Sequence, residues 1–136
     1  MPLTPRSGRH NLAGFSLLHG GIIIDVHSLK KISHSIEEET VTYQSGCRFG
    51  DVDKYIEDNL PGWVWVTAND PSIGTAGCRT SLGVGWLHRW LGNGIDNLVS
   101  ARMVLADGRI VVANKEENSD LFFALRGAGA NFGIVT

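Results

Sequence analysis

The sequence predicts an α+β fold, and three observations carry that prediction. Phe49, Val52, Ile56 and Leu60 recur at helical spacing with Asp51, Asp53, Lys54 and Glu57 between them, an amphipathic helix closed by Pro61-Gly62. Two β-rich runs, 97–105 and 110–113, flank Asp107-Gly108, the pattern of a hairpin. Short apolar runs elsewhere stand between clusters of glycine at 8–21, 74–94 and 127–133. No repeat and no internal linker interrupts them, so the 136 residues read as one domain at most.

Element by element, Ile22-Ile-Ile-Asp-Val26 follows the Gly20-Gly21 turn signal and reads as a buried strand. Leu29–Ile32 reads as a turn or helical corner, and Glu37-Glu-Glu39 as a solvated turn. Thr40-Val-Thr-Tyr-Gln44 alternates as a half-buried strand does. After the helix, Trp63-Val-Trp-Val66 reads as a strand that leads into the glycine-rich stretch 70–85. Trp86-Leu-His-Arg-Trp-Leu91 then reads as a short helix closed by Gly92. Ser119–Arg126 opens on capping residues and continues as a helix. The segment 127–136 is a glycine loop entering a strand.

Composition excludes several classes. Hydrophobic residues make up 43% and charged residues 19%, the balance of a globular chain and not of a disordered one. The net charge of -2, with no basic block, gives no footprint for nucleic acid or a membrane surface. No apolar run approaches the ~20 residues of a spanning helix. The start, Met1-Pro-Leu-Thr-Pro-Arg-Ser, lacks the apolar core of a signal peptide. Cys47 and Cys78 form no CxxC pair, no spacing reads as a metal site, and two reduced, mostly buried thiols are expected. His19, His27, His34 and His88 have no motif that gives them chemistry. The four tryptophans read as core or interface residues.

Glycine is the unusual component: 17 residues, against an average of ~7%. Glycine turns between strands with few basic residues suit a ligand whose phosphates are held by backbone N–H groups. Tight turns in a β-rich domain would produce the same clusters. Gly127-Ala-Gly-Ala-Asn-Phe-Gly133 is not a Rossmann fingerprint. Its third glycine falls one residue late, and it precedes a strand where the fingerprint needs a helix.

Specific motifs narrow the choice. Arg6-Ser-Gly-Arg-His-Asn11 stands where the berberine bridge enzyme-like oxidases carry Arg-Ser-Gly-Gly-His followed by Ser or Asn. Gly14 and Gly21-Ile-Ile-Ile-Asp25, Gly46-Cys-Arg-Phe-Gly-Asp-Val52 and Ser72-Ile-Gly-Thr-Ala-Gly77 follow in the family's order. Gly94-Ile-Asp-Asn-Leu98, Ala106-Asp-Gly-Arg109, Glu117-Asn-Ser-Asp-Leu-Phe-Phe-Ala-Leu-Arg-Gly127 and Asn131-Phe-Gly-Ile-Val-Thr136 match it in spacing. The chain thus resembles the FAD-binding domain of the p-cresol methylhydroxylase type, truncated at both ends. Relative to that domain it lacks the small βαβ portion before the phosphate loop. The resemblance implies a substrate domain outside these residues, which usually supplies the catalytic base.

The resemblance implies FAD as cofactor. Ser7, Gly8, Arg9, His10 and Asn11 would hold its pyrophosphate, with His10 beside the flavin, where many members bond covalently to the ring's methyl group. Ile73, Gly74, Thr75 and Gly77 would pass along the diphosphate and ring edge, and Ile134 would approach the cofactor through its backbone. The implied activity is oxidation of an alcohol, sugar or secondary-metabolite carbon with electrons passed to oxygen. The small-molecule substrate would meet a domain outside this chain. Family members are often secreted. The alternative is a degenerate remnant that no longer binds FAD.

Departures from the pattern sharpen these expectations. Arg9 replaces a glycine; if φ is positive there, a side chain is strained by about 1 kcal/mol, and its charge beside a diphosphate would offset part of that. Asp70 stands where doubly linked members have cysteine, so one covalent link is implied and not two. Ala76, Ser81 and Leu82 fall where glycine is common, which implies looser backbone approach to the cofactor.

Overall fold

The computed structural model describes residues 1–136, Ala130 by its backbone alone. The chain packs as two compact units, one of residues 1–65 and 70–75, the other of 66–69 and 76–136.

In the first unit, β1 (Leu3–Arg6) and β2 (Ile22–Asp25) pair in parallel, Leu3 opposite Ile22 and Arg6 opposite Asp25. Parallel strands need a connection of a dozen or more residues, and residues 7–21, with the first glycine cluster, supply it. The sequence gives no signal for β1 because of Pro2 and Pro5. A two-stranded sheet is all edge, and proline is tolerated there. With one partner strand, β2 is half-buried and not buried as expected; its Ile22 is exposed and only the following Val26 is enclosed. β3 (Ile32–Ser35) and β4 (Thr40–Tyr43) form an antiparallel hairpin whose turn holds the acidic run, with Glu39 left-handed at φ 52°. Ile32, read as part of a corner, opens β3 instead.

The helix predicted after Arg48 is α1 (Phe49–Asn59). Its apolar stripe is buried: Val52, Ile56 and Leu60 with Cys47, lined by Ile32, Val41, Tyr43 and Trp65. Trp65 stacks edge-on to Tyr43 with centroids 5.6 Å apart, lies 5.4 Å from Phe49, and donates its indole N–H to Asp53 Oδ1 at 2.6 Å. The strand expected at 63–66 does not form. Trp63 and Val64 are exposed, Trp65 turns into the helix core, and the segment pairs with no strand. Its apolar character serves packing, without a ladder.

A helix not foreseen, α2 (Thr75–Arg79), follows; five residues are too few to show a period. In the second unit come α3 (His88–Leu91), ended by Gly92 at φ 78°, and a 3-10 turn at Gly94–Asn97. β5 (Ser100–Val104) and β6 (Ile110–Asn114) make the predicted hairpin around Asp107 and the left-handed Gly108. α4 (Ser119–Ala128) kinks at Arg126–Gly127 and leads through a 3-10 turn to β7 (Ile134–Val135), giving a sheet ordered β6-β5-β7. Met103, Ala101 and Leu125 are the core, packed by Leu98, Val111, Leu121 and Val135. Arg79 is buried and donates to the Val66 carbonyl.

Both cysteines are free thiols, Cys47 buried and Cys78 partly so, and burial pushes both above their ordinary pKa. Among the described residues no helix is long and apolar enough to cross a membrane.

Candidate functional site

The site grows from the end of β1. Arg6, its last residue, sends Nε and Nη2 to Asp25 Oδ2 at 3.0 and 2.7 Å, across the parallel pair. That clamp fixes the point from which residues 7–11 depart. Ser7 Oγ then donates to the Ser45 carbonyl at 2.6 Å.

Gly8 packs on Gly74. A Cβ on Gly8 would strike the backbone of Gly74, and one on Gly74 would strike the backbone of Gly8. Only glycine allows two main chains to come this close. The segment 71–75 is itself sewn to the start of α1. Pro71 and Ile73 carbonyls accept from Gly50 (2.9 Å) and Phe49 (3.0 Å), N–H groups that a helix N-terminus leaves without internal partners. The Cys47 carbonyl accepts both the N–H and the hydroxyl of the buried Thr75, each at 3.0 Å. Thus the core of α1 positions residues 73–75, and these position Gly8.

Arg9 is left-handed at φ 64°, the conformation in which a glycine would be free of strain. Its Nη2 reaches Asp25 Oδ2 at 3.1 Å, so its charge lies on the carboxylate that Arg6 already holds. Arg6 first, then the His27 amide, with Arg9 adding to them, holds the Asp25 carboxyl far below the usual range. Two guanidiniums against one carboxylate leave the loop a net positive charge.

His10 is exposed, and its Nε2 lies 2.8 Å from Ser72 Oγ. Ser72 is in turn fixed by Asp70, whose Oδ1 accepts its N–H at 2.7 Å. Asn11 closes the loop: its Oδ1 accepts from Phe15 N at 3.0 Å and its carbonyl from Gly14 N at 3.2 Å. Among the described residues, the backbone N–H groups of Gly8, Arg9, His10 and Asn11 meet no protein acceptor. Successive free N–H groups around a left-handed residue make an anion-binding concavity.

The structure therefore brings Ser7, Gly8, Arg9 and His10 together with Ile73, Gly74 and Thr75 in one unit. Gly77 lies exposed on α2, and Ile134 pairs with Val104 on β7. Sequence reasoning missed Asp25, Ser45 and Ser72 as partners of the loop. Of these, Ser72 alone has a local signal, the Asp70-Pro-Ser spacing of an Asx turn.

A family model described as an FAD binding domain matches residues 1–114. An FAD-linked oxidoreductase, pgmH of Aspergillus terreus, is 46% identical over 129 residues, covering 95% of this chain and 26% of that protein. Among solved structures, a variant of the Physcomitrella patens BBE-like 1 protein superposes with a TM-score of 0.94 at 34% identity, covering 98% of this chain and 29% of that one. Glucooligosaccharide oxidase of Acremonium strictum, described with a 6-S-cysteinyl, 8α-N1-histidyl FAD, gives a TM-score of 0.83 at 28% identity over 98% of this chain and 28% of its own. The chain thus spans under a third of the length of the proteins it matches.

Proposed function

The chain belongs to the FAD-binding domain family, in the p-cresol methylhydroxylase-type fold, and from that premise we propose that it is the cofactor-holding part of a flavin-dependent oxidase. The observation that carries the proposal is the loop of free N–H groups at residues 8–11, backed by the Gly8–Gly74 contact. A diphosphate is a dianion that such a loop can hold without a lysine. Ser7, Gly8, Arg9, His10 and Asn11, with Ile73, Gly74 and Thr75, would take that part of FAD. Gly77 and Ile134 stay assigned by motif resemblance alone.

Bound FAD would supply hydride acceptance, removing a hydride from an alcohol, sugar or secondary-metabolite carbon and passing the electrons to oxygen. The chain's own residues bind and orient. The Arg6–Asp25 clamp anchors the loop, Gly8 and Gly74 bring its backbone close, and the net positive charge favours an anion. His10 would be the residue that bonds to the flavin, and Asp70 in place of a cysteine would limit the link to one. Residues 1–136 would be part of the FAD-binding domain, with the substrate held by a domain beyond them.

The test is direct. The purified chain, incubated with FAD and separated from free cofactor, should be yellow. After acid precipitation the colour should stay in the pellet, and His10→Ala should release it to the supernatant. Colour lost to the supernatant in the unaltered chain removes the covalent link but keeps the cofactor. A folded chain that takes up no FAD overturns the reading.

A further inference from the structure

The third glycine cluster, 127–133, has no place in the binding scheme above, although glycine turns of this kind can hold phosphate through their N–H groups. Here those groups are spent inside the protein. The N–H groups of Gly127 and Gly129 both donate to the Thr80 carbonyl, at 3.2 and 3.3 Å, and that of Phe132 donates to the Gly129 carbonyl at 3.4 Å. Gly129 is helical, at φ -55° and ψ -27°, a conformation that any residue adopts. Even so, a Cβ on it would stand 2.5 Å from Thr80 Cβ and 2.8 Å from Leu125 Cδ1. The leucine methyl can turn aside, whereas Thr80 Cβ is fixed to its own backbone. That backbone closes α2, because the Ala76 carbonyl accepts both the N–H and the hydroxyl of Thr80, at 3.1 and 2.9 Å. At the far end of the cluster, a Cβ on Gly133 would strike the Val104 carbonyl, and Ile134 then pairs with Val104.

We propose that Thr80 is a positioning residue for the cofactor: its carbonyl and Cβ dock the third glycine cluster, and this holds α2, which bears Gly77, and β7, which bears Ile134, in the arrangement that takes FAD. The cluster is then a latch and not a phosphate loop. Its glycines are needed where the main chain meets Thr80 and Val104, since a side chain at either contact would push the segments apart. Coupling of this kind is reciprocal. If the open latch binds FAD less tightly by some factor, bound FAD favours the closed latch by the same factor. The inference rests on the cofactor reading for its ligand; the latch itself is a set of contacts inside the second unit.

The experiment is hydrogen exchange at the Gly127 and Gly129 amides of the full chain, with and without saturating FAD, beside the FAD affinity of variants. Affinity is measured in the His10→Ala background, where no covalent link hides dissociation. FAD should slow both amides about tenfold, and Gly129→Ala, which forces the latch open, should weaken FAD binding by about the same factor. Thr80→Gly removes the Cβ that the alanine meets, so adding it to Gly129→Ala should recover most of the loss. Val111→Ala, which thins the core of the second unit away from the latch, should lower the melting temperature and leave FAD affinity unchanged. Exchange that bound FAD does not slow overturns the proposal, and so does a Val111→Ala loss of affinity equal to that of Gly129→Ala. The exchange measurement needs no variant, so it decides the matter even where Gly129→Ala does not fold. An unaltered chain that takes up no FAD overturns the cofactor reading and this proposal together; FAD uptake with unchanged exchange overturns this proposal alone.

Discussion

Arg9 Nη2 lies 3.1 Å from Asp25 Oδ2, the oxygen that also takes both donors of Arg6. The residue that breaks the glycine pattern of the loop is therefore tied to the strand that begins beyond it. The tie sets a strained backbone against an ion pair. A left-handed arginine costs about 1 kcal/mol, while an ion pair whose arginine side chain is 54% exposed returns no more than about 1 kcal/mol.

Arg9→Gly and Arg9→Ala separate the two contributions. Alanine keeps the strain and loses the pair; glycine loses both. We expect Arg9→Gly to fall within about 1 kcal/mol of the unaltered chain and Arg9→Ala to be the least stable of the three, by about 1 kcal/mol below glycine. Denaturant midpoints at low salt measure this order. The gap between the unaltered chain and Arg9→Ala should narrow as salt screens the pair.

Asp25 makes stability depend on acid. Its folded carboxyl titrates below the ordinary range, chiefly through Arg6, so the unfolded chain binds that proton more tightly. The contribution is complete above the unfolded pKa, about 4, and is lost as pH falls from there through the folded value. Asp25→Asn should be less stable than the unaltered chain at pH 7. Thermal melts from pH 7 downward should show the gap constant to about pH 4 and then closing. A gap that grows in acid would contradict the clamp.

Much of this architecture is legible in the residues. The 49, 52, 56, 60 spacing is long enough to declare a helix, and Asp107-Gly108 between β-branched runs declares a hairpin. Elements that rest on a partner are not. β1 follows Pro2, carries Pro5, and exists because β2 lies beside it. Trp63–Val66 is apolar throughout, so nothing in it distinguishes a paired strand from an extended segment that buries Trp65. The loop at residues 7–11 emerges from a motif. Its contact with residues 72–74 joins segments more than sixty residues apart in the chain, and no spacing rule spans that distance.

Two glycines assigned to the same site should respond in opposite directions. At Gly74 an added Cβ meets the Gly8 main chain and, at 2.7 Å, Ser7 Oγ. Backbone cannot step aside as a flexible side chain can, so Gly74→Ala should cost about 1–3 kcal/mol and weaken FAD uptake. Gly77 lies mid-helix with nothing within 4 Å of that position. Gly77→Ala should therefore stabilise by up to about 1 kcal/mol through helix propensity. Melting temperatures of the two variants check the sign of each.

Ser45 offers a last opposition, because its two oxygens fare differently. Its carbonyl accepts the Ser7 hydroxyl at 2.6 Å, while its own Oγ is buried with no partner among the described residues. A buried hydroxyl left unpaired costs about 1–3 kcal/mol, and a made hydrogen bond contributes about 1 kcal/mol. Ser45→Ala removes the orphan and leaves the carbonyl in place, so the chain without cofactor should melt higher. Ser7→Ala removes the donor and leaves the Ser45 carbonyl unpaired, so it should melt lower, by about 1 kcal/mol in stability. A lower melting temperature for Ser45→Ala would mean that its hydroxyl holds the loop after all.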